Sequence, residues 1–150
     1  MAPIRVMVVE DSLPFRQFIC KTVANRPDLQ IICEVGNGLQ AVQKAEQLKA
    51  DVIFLDIGLP TLNGIAAARQ IRKLVPKSKI VFVSQESDAD IVQQALGFGA
   101  WGYVLKSRAA SDLLAAVEAA CEGRHFVSGG LSGQFFTDAS RQPPVAIMQP

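Results

Sequence analysis

Val52-Ile53-Phe54-Leu55-Asp56-Ile57-Gly58-Leu59-Pro60-Thr61-Leu62-Asn63-Gly64 is the stretch that decides the fold. Its first four residues are apolar without the alternation of a half-exposed strand, the pattern of a strand covered on both faces and so of a parallel sheet between helix layers. The run stops on a carboxylate, Asp56. Gly58, Pro60, Asn63 and Gly64 then supply turn chemistry, and a helical stretch follows to Val75-Pro76.

The same alternation of short β-rich runs and longer helical stripes extends both ways. Upstream, Ile4–Val9 is a strand ending at Glu10-Asp11, followed by a stripe at Phe15, Phe18, Ile19, Thr22 and Val23 that Pro27 closes. Ile31–Val35 is a second strand, and Val42, Ala45 and Leu48 mark a second helix. Downstream, Ile80–Ser84 is a strand, residues 88–96 a helix, Tyr103–Lys106 a fifth strand and residues 109–122 a last helix. Five strands alternating with five helices predict an α/β fold, a doubly wound, five-stranded parallel sheet with right-handed crossovers. The domain is placed at residues 1–124. Residues 125–150 hold three of the eight prolines and three of the eleven glycines without periodicity, and are expected to be a flexible tail or a linker toward an output domain.

Composition narrows the function. Lys and Arg number 15 against 14 Asp and Glu, so a net charge of +1 gives this chain no electrostatic case for binding nucleic acid. Three scattered cysteines, Cys20, Cys33 and Cys121, exclude a disulfide framework and a thiolate metal site. No apolar run has the ~18 residues needed to span a membrane, and no signal-peptide core follows Arg5. The expected location is the cytoplasm, with no membrane partner.

Ligands of open parallel sheets bind at the carboxyl ends of the strands. There the sequence places Glu10-Asp11, Asp56, Ser84 and Lys106, from separate parts of the chain. Each has a bland alternative: a helix-capping pair for the two acids, an Asx turn for Asp56, a helix cap for Ser84, a solvated side chain for Lys106. Their joint placement argues for a site. Three crowded carboxylates need a cation, and Mg²⁺ takes one or two of them while leaving a place for a phosphate oxygen. Lys106 can pair with a carboxylate or a phosphate, and Ser84 can hydrogen-bond a phosphoryl oxygen. A carboxylate beside Mg²⁺ and a lysine is a nucleophile arranged for phosphoryl transfer.

The acidic pair, Leu55–Pro60 with Asn63-Gly64, Ser84, and Tyr103-Val104-Leu105-Lys106 together resemble the receiver domain of two-component response regulators, over residues 3–123. Residues 95–106 are most similar to the NarL/FixJ branch, which usually carries a LuxR-type helix-turn-helix. The resemblance implies the flavodoxin-like (βα)5 fold with strand order 2-1-3-4-5. It implies that Asp56 is the phosphoacceptor. Asp11, Asp56 and the Gly58 carbonyl would bind Mg²⁺ directly, and Glu10 through water. Ser84 would be the switch hydroxyl, Lys106 the phosphate partner, and Tyr103 the aromatic whose rotamer follows activation; read without the family, Tyr103 is a half-buried strand aromatic. A sensor histidine kinase is the implied donor. The fourth helix, fifth strand and fifth helix, with Leu96, Trp101 and Tyr103, form the implied partner or homodimer face. Ser107 stands where many receivers have proline, leaving the isomer of the Lys106–Ser107 bond open. Gln85 stands where a smaller residue is common, and its bulk is expected to slow access to Asp56.

Two other readings stay open. The chain could be the regulatory half of a LuxR-type transcription factor, or an Mg²⁺-dependent aspartyl phosphatase. The phosphatase pattern asks for a second Asp two residues after the nucleophile, where this chain has Gly58. His125, beyond the last helix, reads as a surface or linker residue.

Overall fold

Alternation along each strand divides the apolar side chains between two helix layers. The computed structural model describes residues 2–128. In chain order it has β1 (Ile4–Val9), α1 (Leu13–Val23), β2 (Leu29–Val35), α2 (Gly38–Leu48), β3 (Val52–Leu55), α3 (Gly64–Leu74), β4 (Lys79–Ser84), α4 (Ala89–Gly97), β5 (Gly102–Leu105), a 3-10 turn (Lys106–Arg108), α5 (Ala109–Cys121) and β6 (Phe126–Val127). All strand pairs are parallel, in the order β2-β1-β3-β4-β5-β6. Met7, Val9, Ile53, Leu55, Phe82 and Tyr103 pack on the side of α2, α3 and α4. Val6, Val8, Val52, Phe54, Val83 and Val104 pack on the other, against Ile19 and Val23 of α1 and Leu113, Ala116 and Val117 of α5. β3 is buried along its whole length, as its unbroken apolar run requires.

The helix starts bear on the site. Ser12 caps α1, accepting from Phe15 N, and Asp88 caps α4, accepting from Asp90 N. Neither Glu10-Asp11 nor Ser84 is consumed as a cap. Asn63 caps α3 by accepting from Ala66 N at 2.9 Å. The first residue of α3 must be glycine because a Cβ on Gly64 would lie 1.9 Å from the Asp56 carbonyl oxygen. That close approach brings the start of α3 against the end of β3.

The sequence expectation needs correction at its C-terminal end. The sheet has a sixth strand, β6, pairing Gly102 with Phe126 and Tyr103 with Val127. Residues 125–128, assigned to the tail, therefore belong to the folded unit, while 129–150 lie outside the described residues. Ser128 is buried, accepting from Leu105 N at 2.9 Å and donating to Asp112 of α5 at 2.8 Å. His125 is no free linker residue: its ring stacks on Trp101, centroids 4.5 Å apart and planes 11° from parallel. Lys106 begins the 3-10 turn rather than ending β5, and the Lys106–Ser107 bond is trans.

Candidate functional site

Parallel pairing in register brings the strand ends together. Val9 lies beside Leu55, Leu55 beside Phe82, and Ser84 beside Leu105, so the residues that follow share one edge. Ligand atoms of Glu10, Asp11 and Asp56 lie within 4.8 Å of one another. Glu10 and Asp56 are buried and Asp11 is exposed at the mouth. A cleft of roughly 340 Å³ opens over them, lined also by Ser12, Gly58, Ser84 and Lys106.

Lys106 is the cationic partner. Its Nζ lies 2.9 Å from Glu10 Oε1 and 3.2 Å from Asp56 Oδ2, and 4.8 Å from the centre of the Phe15 ring. Burial works against the ammonium, but the two carboxylates outweigh it and hold its pKa above the ordinary lysine value. Burial pushes the Glu10 carboxyl above its ordinary value, opposed by Lys106 and by the Ser12 N–H, which donates to Oε2 at 2.9 Å. Gly58 N donates to Asp56 Oδ1 at 3.3 Å, a long Asx-type contact.

Three carboxylates facing one ammonium leave two negative charges uncompensated, the charge of a single Mg²⁺. Glu10 Oε1 supplies a sharper test. It is buried, and the Lys106 ammonium at 2.9 Å meets it from one side only, which leaves a lone pair of the carboxylate oxygen unused. Such an atom suits a water of a magnesium shell. The oxygen-only donor set fits a hard divalent cation.

Ser84 and Tyr103 link the cleft to α4. Ser84 Oγ accepts from Glu86 N at 3.1 Å, and the Tyr103 hydroxyl donates to the Glu86 carbonyl at 2.7 Å. Tyr103 is fully buried, not half-buried, and burial pushes its phenol up to about 12. Its ring points into the core under α4 and adds nothing to the outer face in this conformation. Gln85 is exposed at the rim of the cleft.

The structure thus gathers Glu10, Asp11, Asp56, Gly58, Ser84 and Lys106 in one cleft and sets Tyr103 one hydrogen bond away. The sequence reading missed Phe15, which it gave only to the helical stripe, and Arg16, whose Nη1 donates to the Glu10 carbonyl at 2.9 Å. Position four or five residues after Asp11, on the first turns of a capped helix, was the available signal.

A six-stranded parallel sheet gathers three carboxylates and a lysine at its carboxyl edge, and comparison gives the class its name. Residues 6–118 match the model of the response regulator receiver domain, and the chain belongs to that family. It is 31% identical to the nitrate/nitrite response regulator protein NarL of Escherichia coli (strain K12) over 87% of this chain and 60% of that protein. It is 30% identical to the chemotaxis protein CheY of Listeria monocytogenes over 79% of this chain and 99% of that one. A LuxR-family two-component response regulator from Aurantimonas sp. SI85-9A1 superimposes with a TM-score of 0.85 at 25% identity, covering 93% of this chain and 99% of that chain. The chain spans 52% of the transcriptional regulatory protein DegU of Brevibacillus brevis, another relative. No described helix is long and apolar enough to cross a membrane.

Proposed function

We propose that Asp56 is the phosphoacceptor of this receiver, taking a phosphoryl group from a sensor histidine kinase. The observation that carries the reading is Lys106, held 3.2 Å from Asp56 Oδ2 at the floor of an open cleft. An Asp56 carboxylate oxygen attacks phosphorus, the new O–P bond forms as the bond to the donor breaks, and the electron pair leaves with the donor. Asp11 and Asp56, with the Gly58 carbonyl, would hold Mg²⁺, and Glu10 would act through a water. Bound there, the ion neutralises charge developing on the phosphoryl oxygens. Lys106 would turn from carboxylate to phosphoryl oxygen, and Ser84 would meet another. No carboxylate stands at position 58 to activate a hydrolytic water, which favours a switch over a phosphatase.

The test is intact mass after treatment with acetyl phosphate and Mg²⁺. Wild type gains one phosphoryl group and Asp56→Asn gains none; equal gain in both would overturn the assignment. For the metal, Mg²⁺ raises the melting temperature of wild type by binding linkage, and Asp11→Ala loses most of that rise.

Signal output is read from the Ser84–Glu86–Tyr103 link. Movement of Ser84 toward a phosphoryl oxygen frees Glu86 N and so changes the loop that Tyr103 holds. The face of α4, β5 and α5 would respond, as a partner or homodimer surface. A second reading makes this the regulatory half of a LuxR-type transcription factor. The partial coverage of DegU and NarL, named as regulators, favours it. In that case nucleic acid is bound by another part of the protein, in the cytoplasm. Reading the natural gene past Pro150 tests it.

A further inference from the structure

The geometry points to Arg16 as a positioning residue for the acidic turn, a role that rests on the magnesium reading proposed above. Its guanidinium reaches back from α1 across the β1–α1 turn, and Nη1 donates to the main-chain carbonyl of Glu10 at 2.9 Å. The N–H of Glu10 is already tied to the Val35 carbonyl of β2 at 3.0 Å. The N–H bond holds the peptide plane before Glu10, and the Arg16 bond holds the plane that leads into Asp11. That plane sets where the Asp11 carboxylate stands relative to Asp56. The same turn carries Ser12 N, which fixes Glu10 Oε2.

Two independent features show how closely the guanidinium is seated. Nε faces Glu34 Oε1 at 3.6 Å, yet it is buried and has no hydrogen-bond partner. A buried donor left unpaired is costly, so the side chain is anchored by what its other nitrogen bonds. Gly36, just after β2, leaves the room. A Cβ there would lie 3.2 Å from Nη1 and 3.9 Å from the Glu10 carbonyl oxygen. Gly36 is not among the left-handed glycines, so its missing side chain is what matters there, not backbone freedom.

Positioning and charge act in opposite directions. A guanidinium bonded to the main chain of the acidic turn repels an incoming cation, so losing its charge alone would tighten Mg²⁺ binding. Losing the clamp loosens the turn and weakens it. Replacing groups that orient metal ligands typically costs about 10–100-fold in affinity, and Arg16→Gln is expected near the lower figure. Gly36→Ala, which must push Nη1 aside by a few tenths of an ångström, weakens binding less. Arg16→Lys restores part of the affinity, since an ammonium can still reach a carbonyl.

The experiment is calorimetric titration of the full chain with MgCl₂ alone, together with amide exchange of the metal-free proteins at Ser12. The expected result is weaker binding and faster Ser12 exchange in Arg16→Gln, with Lys between it and wild type. Unchanged or tighter Mg²⁺ binding by Arg16→Gln overturns the role of Arg16. If that variant does not fold, unchanged binding by Gly36→Ala overturns it equally. A wild type that takes no Mg²⁺ overturns the magnesium reading itself, and the Arg16 role with it.

Discussion

Ser128→Ala is the perturbation whose cost can be worked most directly from the structure. The hydroxyl is fully buried, donates to Asp112 Oδ2 at 2.8 Å and accepts from Leu105 N at 2.9 Å. Removing it takes one bond from a buried carboxylate that keeps Arg108 at 3.2 Å and Ser111 at 2.9 Å, and leaves the Leu105 N–H without a partner. A hydrogen bond to a charged group contributes about 1.5–3 kcal/mol, and a buried orphaned donor costs about 1–3 kcal/mol. The two overlap, so the expected loss is about 3 kcal/mol. With a urea m-value of about 1.5–2 kcal/mol/M, the midpoint should fall by roughly 1.5–2 M at unchanged slope. Asp112→Asn and the double variant complete a cycle, and the coupling energy should reach about 1 kcal/mol or more. A loss below about 1 kcal/mol, or strict additivity, would refute the claim that Ser128 ties the chain after α5 to the fold.

Three further outcomes are expected. Thr61 is a β-branched residue at φ 65°, so Thr61→Asn should stabilise the protein by about 1 kcal/mol in thermal or urea melts. Burial, reinforced by Lys79, holds the His125 pKa below its ordinary 6.5. The unfolded chain then takes the proton first, so stability present above pH 6.5 is lost as pH falls through the lower folded value, and His125→Gln should flatten that dependence in melts between pH 7.5 and 5. Tyr103→Phe removes the bond to the Glu86 carbonyl at a cost of about 1 kcal/mol, and amide exchange in residues 85–88 should quicken while Mg²⁺ binding stays unchanged.

The fold was legible because its signals are long or chemically pointed. Val52–Leu55 is apolar throughout, and an uncovered face would make it implausible; a turn rich in Gly, Pro and Asn follows at once. The site was legible for a related reason: parallel strands put their last residues on one edge, so reading strand ends reads the cleft. β6 was not legible. Two residues show no periodicity, and what holds Phe126 and Val127 is main-chain pairing with β5, backed by a serine–aspartate bond from the next residue across 16 positions. Arg16 escaped because its partner is a main-chain oxygen, which no side-chain motif records. Tyr103 was placed correctly in sequence but not in depth, since the alternation that turns it under α4 depends on the register of β5 against β4.

β6 also decides what borders the sheet. By pairing with Gly102 and Tyr103 it makes β5 an inner strand at those positions, and among the described residues the border on that side is the two-residue β6. Unpaired N–H and C=O groups along an outer strand offer a template to any other extended chain. A chain cut at residue 124 would present β5 in that state, with the main chain of Gly102 and Tyr103 uncovered, and strand-to-strand self-association rising with concentration is the outcome to expect. Placing the last residue beyond Ser128 keeps the border closed, and at the same time keeps Asp112 partnered.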